Sequence, residues 1–448
     1  MVKTSAILGL NARAQLFSYK YNPIRAKKIA NSKLITKKVL AKAGTPVPEI
    51  YKKFTNPREV VSFDFGTLPD SFALKPSKGL GGDGIIVVKK RAKDPSTRAS
   101  TELSRTSSGQ ARNAWITTQR NRITSDDLQL HILDILEGAY SVGNVPDAAF
   151  FEEYVGRHKA FRKYAYRGTP DIRIVIFNKV PIMAMLRLPT RESKGRANLH
   201  QGAIAVGIDI ATGITIRAYW HDRFIRYKPG TKRKLHGIKI PLWTKIMEIA
   251  VGCQPATGLG YFGADVVLHP EKGPMILELN YMPGLQIQLA NMAGLKKRLE
   301  KVEDLVIRDA EHGVKVAKAL FVARFADRVK ADEGAKTVDI FESVRVKGHN
   351  DKEITIKAKV DTGAWRTSID KTLAQDLHLL DENNVLWYRK FHSAFGIEKR
   401  PVIAVTFWLK GKKIRTTAGV TDRSKLRSPL IIGRKDLGGF LVNPTNNE

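Results

Sequence analysis

The spacing of apolar residues divides the chain into stretches of different period. Between 24 and 44, Ile29, Leu34, Ile35, Val39 and Leu40 recur among good helix formers and the pattern stops at Gly44, just before Pro46 and Pro48. That predicts a helix followed by a turn. From Phe72 to Val88 the pattern becomes a short apolar strand, FALKP, then a glycine-rich loop, then the β-branched run Ile85 to Val88, which predicts a hairpin with a special loop. Residues 89–125 are rich in Lys, Arg, Ser and Thr and read as an exposed insertion. Strand patterns return between 150 and 290 in FFEEYV, DIRIVIF, PIMAMLRL, GAIAVGIDI, ADVVL and MILELN, with a helical stretch near 242–253. The expected class there is α+β with a mainly antiparallel sheet. Residues 300–335 favour helix, and from Thr337 the alternation in ITIKAKV and IAVTFWL predicts a small all-β domain.

Length and composition narrow the picture. A chain of 448 residues exceeds what one core supports, since single cores stop growing at roughly 250–300 residues, so two or three domains are expected. No run reaches the ~18 apolar residues of a membrane span. The opening MVKTSAILGLNARAQLF is interrupted by Asn11 and Arg13 and reads as mature sequence. A single cysteine, Cys253, excludes an intramolecular disulfide and any cysteine-cluster metal site, in accord with a cytoplasmic location. The net charge of +33 predicts attraction to polyanions. The cations are spread along the chain, so a generally basic surface and a dedicated nucleic-acid site both remain open, with 89–125 the segment best suited to such a contact.

Two groups of residues carry candidate chemistry. Lys75 ends an apolar strand and precedes Ser77-Lys78-Gly79-Leu80-Gly81-Gly82-Asp83-Gly84. Glycines let backbone N–H groups approach phosphate oxygens, and a lysine adds fixed positive charge; an ordinary flexible hairpin has the same composition. Asp265, Glu278 and Asn280 lie on the strands ADVVL and MILELN, and the period of two puts Glu278 and Asn280 on one face. Three oxygen donors facing a cleft suit magnesium, and a solvated strand face is the alternative.

Taken in order, Lys75 and its loop, Glu153-Tyr154, Asp171-Ile-Arg173, Met185-Leu-Arg187, Asn198-Leu-His200-Gln-Gly202, Asp265 and Glu278-Leu-Asn280-Tyr-Met-Pro283-Gly284 resemble the ATP-grasp ligases of the RimK type. More narrowly the set is similar to alpha-L-glutamate ligase-like proteins, over some 270 residues. The resemblance implies ATP phosphates on Lys33 and Lys75, adenine near Glu153 and Tyr154, further nucleotide contacts from Asp171, Arg196 and Asn198, and two magnesium ions, or manganese in their place, on Asp265, Glu278 and Asn280. It also implies attack of a carboxylate on the γ-phosphate and displacement of the acylphosphate by an amine. Arg187 and Arg173 would stabilise the developing charge, although either could be a structural ion-pair arginine. RimK-type enzymes carry a separate α/β domain of roughly a hundred residues ahead of the grasp. Only about thirty residues precede Lys33 here, so a different acceptor surface is expected.

In the last stretch, Asp361-Thr362-Gly363-Ala364 follows ITIKAKV, and Leu430-Ile431-Ile432-Gly433-Arg434 comes near the end. The combination resembles the retropepsin-like aspartic proteases, and in particular the domain labelled "ATP-dependent zinc protease". A lone Asp-Thr-Gly is otherwise a common turn. Only Asp361 is supplied per chain, so an active peptidase would need two copies meeting at a two-fold axis. No zinc-ligand spacing accompanies it.

The expected organisation is an ATP-grasp ligase domain over 1–305 with the insertion 89–125, a helical linker over 306–336 and a retropepsin-like domain over 337–448. The expected function is ATP- and magnesium-dependent joining of an amino-acid or peptide carboxylate to an amine, a protein acceptor included, beside peptide cleavage or binding. The expected assembly is a homo-oligomer. A non-catalytic basic protein that binds nucleic acid or ribosomes on an ATP-grasp scaffold is the alternative.

Overall fold

The computed structural model describes residues 4–79, 81–92, 113–321, 336–349, 352–393 and 396–443. The chain folds into two compact units, one of Met1–Ile208 with Gly213–Leu299 and one of Asp209–Thr212 with Glu300–Glu448.

The first unit is built on two antiparallel sheets. One runs, in spatial order, Ile50–Phe54, Ala149–Glu153, Phe72–Pro76, Ile86–Arg91, Ala114–Thr117 and Arg122–Thr124. Phe54, Phe72, Trp115 and Phe151 from its strands pack with Leu128 and Ile132 of the helix Ser125–Leu136. Thr124 caps that helix reciprocally with Asp127. The polar segment from 89 is thus only partly an exposed insertion: Trp115 is fully buried because its strand completes the sheet, and the middle of the segment, 93–112, lies outside the described residues.

The other sheet runs Arg223–Ile225, Thr215–Trp220, Ile204–Ile208, Val180–Leu188, Asp171–Phe177, Tyr261–His269 and Gly273–Asn280. Every residue of Val180–Leu188 is buried, so its one charge, Arg187, must find its partners inside. A bulge separates Asp265 from Val266 in the last pairing: Asp265 faces Glu278 while Val266 faces Ile276, which leaves Leu277 as the extra residue. Helix Trp243–Thr257 ends at Gly258, whose φ of 75° supplies the left-handed cap.

The stretch expected as one helix from 24 to 44 is two, Ile24–Ala30 and Lys33–Lys42. Ser32 explains the break, because its hydroxyl accepts from the Ile35 N–H and starts a second helix. Ahead of both, a π-helical turn spans Arg13–Ser18.

In the second unit a sheet of Phe341–Lys347, Glu353–Asp361, Leu430–Gly433, Thr367–Asp370, Lys412–Thr421, Gly396–Leu409 and Val385–Ser393 curls until Phe341–Lys347 also pairs with Gly396–Leu409, giving a β-barrel. Val344, Val360, Ile369, Ile403, Phe407 and Ile432 fill it. The segment 300–335 is helical over Ala310–Leu320, and 322–335 lies outside the described residues. No described helix is long and apolar enough to cross a membrane.

Candidate active site

A cavity of about 970 Å³ opens in the first unit. Lys33, Lys75, Glu153, Asp171, Arg173, Arg187, Arg196, Asn198, Asp265, Glu278 and Asn280 all line it. Tyr154 is not among its lining residues; it is half-buried and the neighbouring Val155 faces the cavity instead.

One wall is the glycine loop. Gly81, Gly82 and Gly84 have φ of 66°, 86° and 70°, values that strain any residue with a Cβ. The loop is fixed at its root by the start of helix Lys33–Lys42: the Ser32 and Ser77 hydroxyls lie 2.9 Å apart, the Lys33 N–H donates to Ser77 O at 3.0 Å, and Lys33 Nζ donates to Gly79 O. From across the cavity, Asn198 Nδ2 donates to Gly81 O at 2.8 Å and Arg196 pairs with Asp83 at 3.4 Å.

Behind Lys75 lies a group that the motifs did not reveal. Its ammonium pairs with Glu152, which is 1% exposed, and the other oxygen of Glu152 meets Lys37 Nζ at 3.0 Å. Burial lowers the Lys37 pKa, an effect that Glu152 only partly offsets. Burial also opposes charge on Glu152, yet Lys37 and Lys75 together outweigh it and hold the carboxyl below its usual range. The signal in the sequence was weak: Lys37 sits one turn before Leu40 on the buried face of its helix. Glu153, next along the strand, pairs with Lys272 and accepts the Glu49 N–H at 3.3 Å.

The opposite wall is an ionic cluster set by strand register. Asp171 faces Arg187, and Arg173 faces Asp265. Arg187 makes a two-pronged contact with Asp171 at 2.5 and 2.6 Å and reaches Asp265 at 2.6 Å, while Arg173 grips Asp265 with two bonds of 2.7 Å. Burial pushes the Asp171 carboxyl up to about 6, because Asp171 has one guanidinium and shares it. Asp265 is as deeply buried but has two guanidiniums, and they hold it below the usual range.

The sign of the resulting pH effect is fixed. A raised native pKa makes protonation favour the folded state, so the contribution of Asp171 is complete below about pH 4 and is lost as pH rises through about 6. The melting temperature of the wild type relative to Asp171→Asn is therefore expected to rise as pH falls from about 7 to about 4. A difference that stays constant across that range would contradict the assignment.

Beyond the bulge, Glu278 and Asn280 edge the cavity. The carboxylate of Glu278 makes no hydrogen bond or ion pair among the described residues, notable in so basic a chain, and Asn280 Oδ1 accepts the Met282 N–H at 2.8 Å. An unpaired, half-buried carboxylate beside an amide oxygen fits a hard divalent cation; the oxygens of Asp265 would have to be shared with Arg173 and Arg187. Arg13 also lines the cavity, anchored by bonds from Nη1 to Met282 O at 3.3 Å and Pro283 O at 3.0 Å. Its place in an apolar opening segment gave no hint of this.

In the second unit, Asp361 Oδ1 accepts the N–H groups of Gly363 at 2.9 Å and Ala364 at 3.1 Å, and its strand lies parallel to Leu430–Gly433, with Asp361 opposite Gly433. A Cβ on Gly433 would lie 2.4 Å from the Arg366 carbonyl carbon, so this crossing requires glycine. The two motifs, distant in sequence, are thereby neighbours.

The profile of the family described as sugar-transfer-associated ATP-grasp matches residues 12–109 and 106–304. No curated protein matches. Among solved structures, the ATP-grasp ligase PsnB complexed with a minimal precursor is 16% identical over 63% of this chain and 62% of its own, with a TM-score of 0.32. The D-alanine–D-alanine ligase of Bacillus anthracis complexed with ATP is 14% identical over 70% of this chain and 71% of its own, also at 0.32. A protein of unknown function from Legionella pneumophila is 20% identical over 25% of this chain and 94% of its own, at 0.18.

Proposed function

The chain belongs to the sugar-transfer-associated ATP-grasp family, and from that premise we propose that it is an ATP- and magnesium-dependent ligase that joins a carboxylate to an amine. One observation carries the reading: a single cavity combines Lys33, Lys75 and the positive-φ glycines on one wall with Asn280 and the unpaired carboxylate of Glu278 on another. Phosphates would lie along the lysines and the loop. Glu278 and Asn280, with Asp265 shared, would hold the magnesium, which neutralises phosphate charge when bound.

In the proposed reaction an oxygen of the substrate carboxylate attacks the γ-phosphorus and ADP leaves. The amine then attacks the acyl carbon of the acylphosphate, giving the amide, phosphate and a proton. Catalysis of this kind rests on positioning and on charge neutralisation more than on proton transfer. Arg173 and Arg187 are placed by Asp171 and Asp265 to offer guanidinium charge at the cavity wall. The finer likeness to RimK-type glutamate ligases rests on the order of the motifs, and the ligase domain is read as 1–305. For 337–448 we keep the retropepsin-like reading, in which Asp361 of two copies would act together on the same peptide; the closeness of the two motifs supports it.

The test is ADP release from magnesium-ATP across a panel of amino acids and peptides, with products read by mass spectrometry. Turnover with one carboxylate–amine pair that falls at least about a hundredfold in Glu278→Ala is expected. In the same incubations Asp361→Asn is expected to lengthen the peptide products. Turnover retained in Glu278→Ala would sink the metal assignment, and unchanged product lengths would remove the peptidase.

A further inference from the structure

The first unit carries a concentrated positive surface separate from the glycine loop. Residues 156–167 hold Arg157, Lys159, Arg162, Lys163 and Arg167 without a carboxylate. Residues 223–234 hold Arg223, Arg226, Lys228, Lys232, Arg233 and Lys234, again without one. The two segments meet: Lys228 Nζ donates to Lys163 O at 3.4 Å, and the Arg233 guanidinium lies 5.9 Å from the centre of the Tyr164 ring. None of the eleven cations is ion-paired among the described residues, and the polar contacts of Arg157, Arg167 and Lys228 go to backbone carbonyls. The acids closest in sequence are engaged elsewhere, Glu153 with Lys272, Asp171 with Arg187 and Asp222 with the Tyr219 hydroxyl. Burial lowers the Lys228 pKa, and Arg233 and Arg157 add to the shift.

Aromatic rings alternate with these charges. Arg167 and Arg191 lie 5.1 and 5.9 Å from the centre of the Tyr166 ring. On the edge strand Arg223–Ile225 and just after it, Phe224 and Tyr227 are each 46% exposed between cations. The patch is continuous with the cavity: Gly168, at the end of its first segment, packs against Gly195, and Gly168, Lys194, Gly195 and Arg196 all line the cavity.

We propose that this patch is a binding surface for single-stranded nucleic acid at the mouth of the ligase cavity. Unneutralised cations hold phosphates, and Phe224 and Tyr227 offer faces on which bases stack. An acidic polypeptide would use the cations and leave the aromatic residues idle. The inference stands apart from the ligase reading, since its surface and its readout are independent of ADP release.

Fluorescence anisotropy of a labelled single-stranded RNA about 16 nucleotides long tests it. Arg162→Glu with Lys163→Glu and Arg233→Glu should weaken binding about tenfold or more and flatten its dependence on salt. Phe224→Ala with Tyr227→Ala should weaken it by about fivefold or more while leaving the salt slope unchanged. Neither set touches the cavity lining, so binding of magnesium-ATP should match the wild type and report an intact fold. The proposal is overturned if RNA binding is unchanged in both variants. It is equally overturned if polyglutamate of equal charge, or vesicles containing phosphatidylserine, compete better than unlabelled RNA.

Discussion

Arg187→Met is expected to lower the free energy of unfolding by about 4 kcal/mol at pH 7. Asp265 keeps Arg173, but Asp171 is left without its guanidinium in a fully apolar stretch of sheet. A buried carboxylate deprived of its partner takes up a proton, but wild-type Asp171 already does so at about pH 6, so this titration adds to the loss only above that pH, by about 1.4 kcal/mol per unit. The remainder is the broken buried pair itself, and the same substitution should therefore cost about 3 kcal/mol at pH 5. Urea unfolding of both proteins at the two pH values measures it. A loss below about 1 kcal/mol at pH 7 would show that water reaches Asp171 and that the cluster is not closed.

The second large effect is expected from Glu152→Gln. Lys37 and Lys75 would then share a buried position with no carboxylate between them. Breaking such a pair costs about 3–5 kcal/mol, limited here because Lys37, its pKa already lowered by burial, can lose its proton. The discriminating measurement is the rise in melting temperature on adding magnesium-ATP. If Lys75 faces the phosphates, the nucleotide supplies the missing negative charge, and the rise should be larger in the variant than in the wild type. An equal or smaller rise would place the phosphates away from Lys75.

The sequence carried the strands well and named residues that line one cavity, for a definite reason. Apolar runs such as DIRIVIF and PIMAMLRL state both their conformation and their burial, and a charge inside one, Arg173 or Arg187, has to be paired. What was hidden were features decided by tertiary partners. Ser32 reads as a helix residue until its hydroxyl is seen capping a new start. Trp115 sits in a polar stretch and is buried only because a neighbouring strand receives it. Arg13 and Lys37 look like ordinary surface cations, and only the residues opposite them, Met282, Pro283 and Glu152, give them a place. The basic patch was invisible for the same reason, since its segments are some sixty positions apart. The segment expected to touch polyanions lies mainly outside the described residues.

The bulge at Leu277 bears on how this strand tolerates genetic change. Substitutions at neighbouring apolar positions alter volume and leave direction intact, so they can accumulate gradually. Loss of a single codon there is different in kind. It would restore an uninterrupted ladder and turn Glu278 and Asn280 to the other side of the sheet, leaving a well-formed strand whose oxygen donors face away from the cavity. Descent with the fold kept and the chemistry lost thus lies one deletion away, whereas the reverse step would need an insertion at that same place.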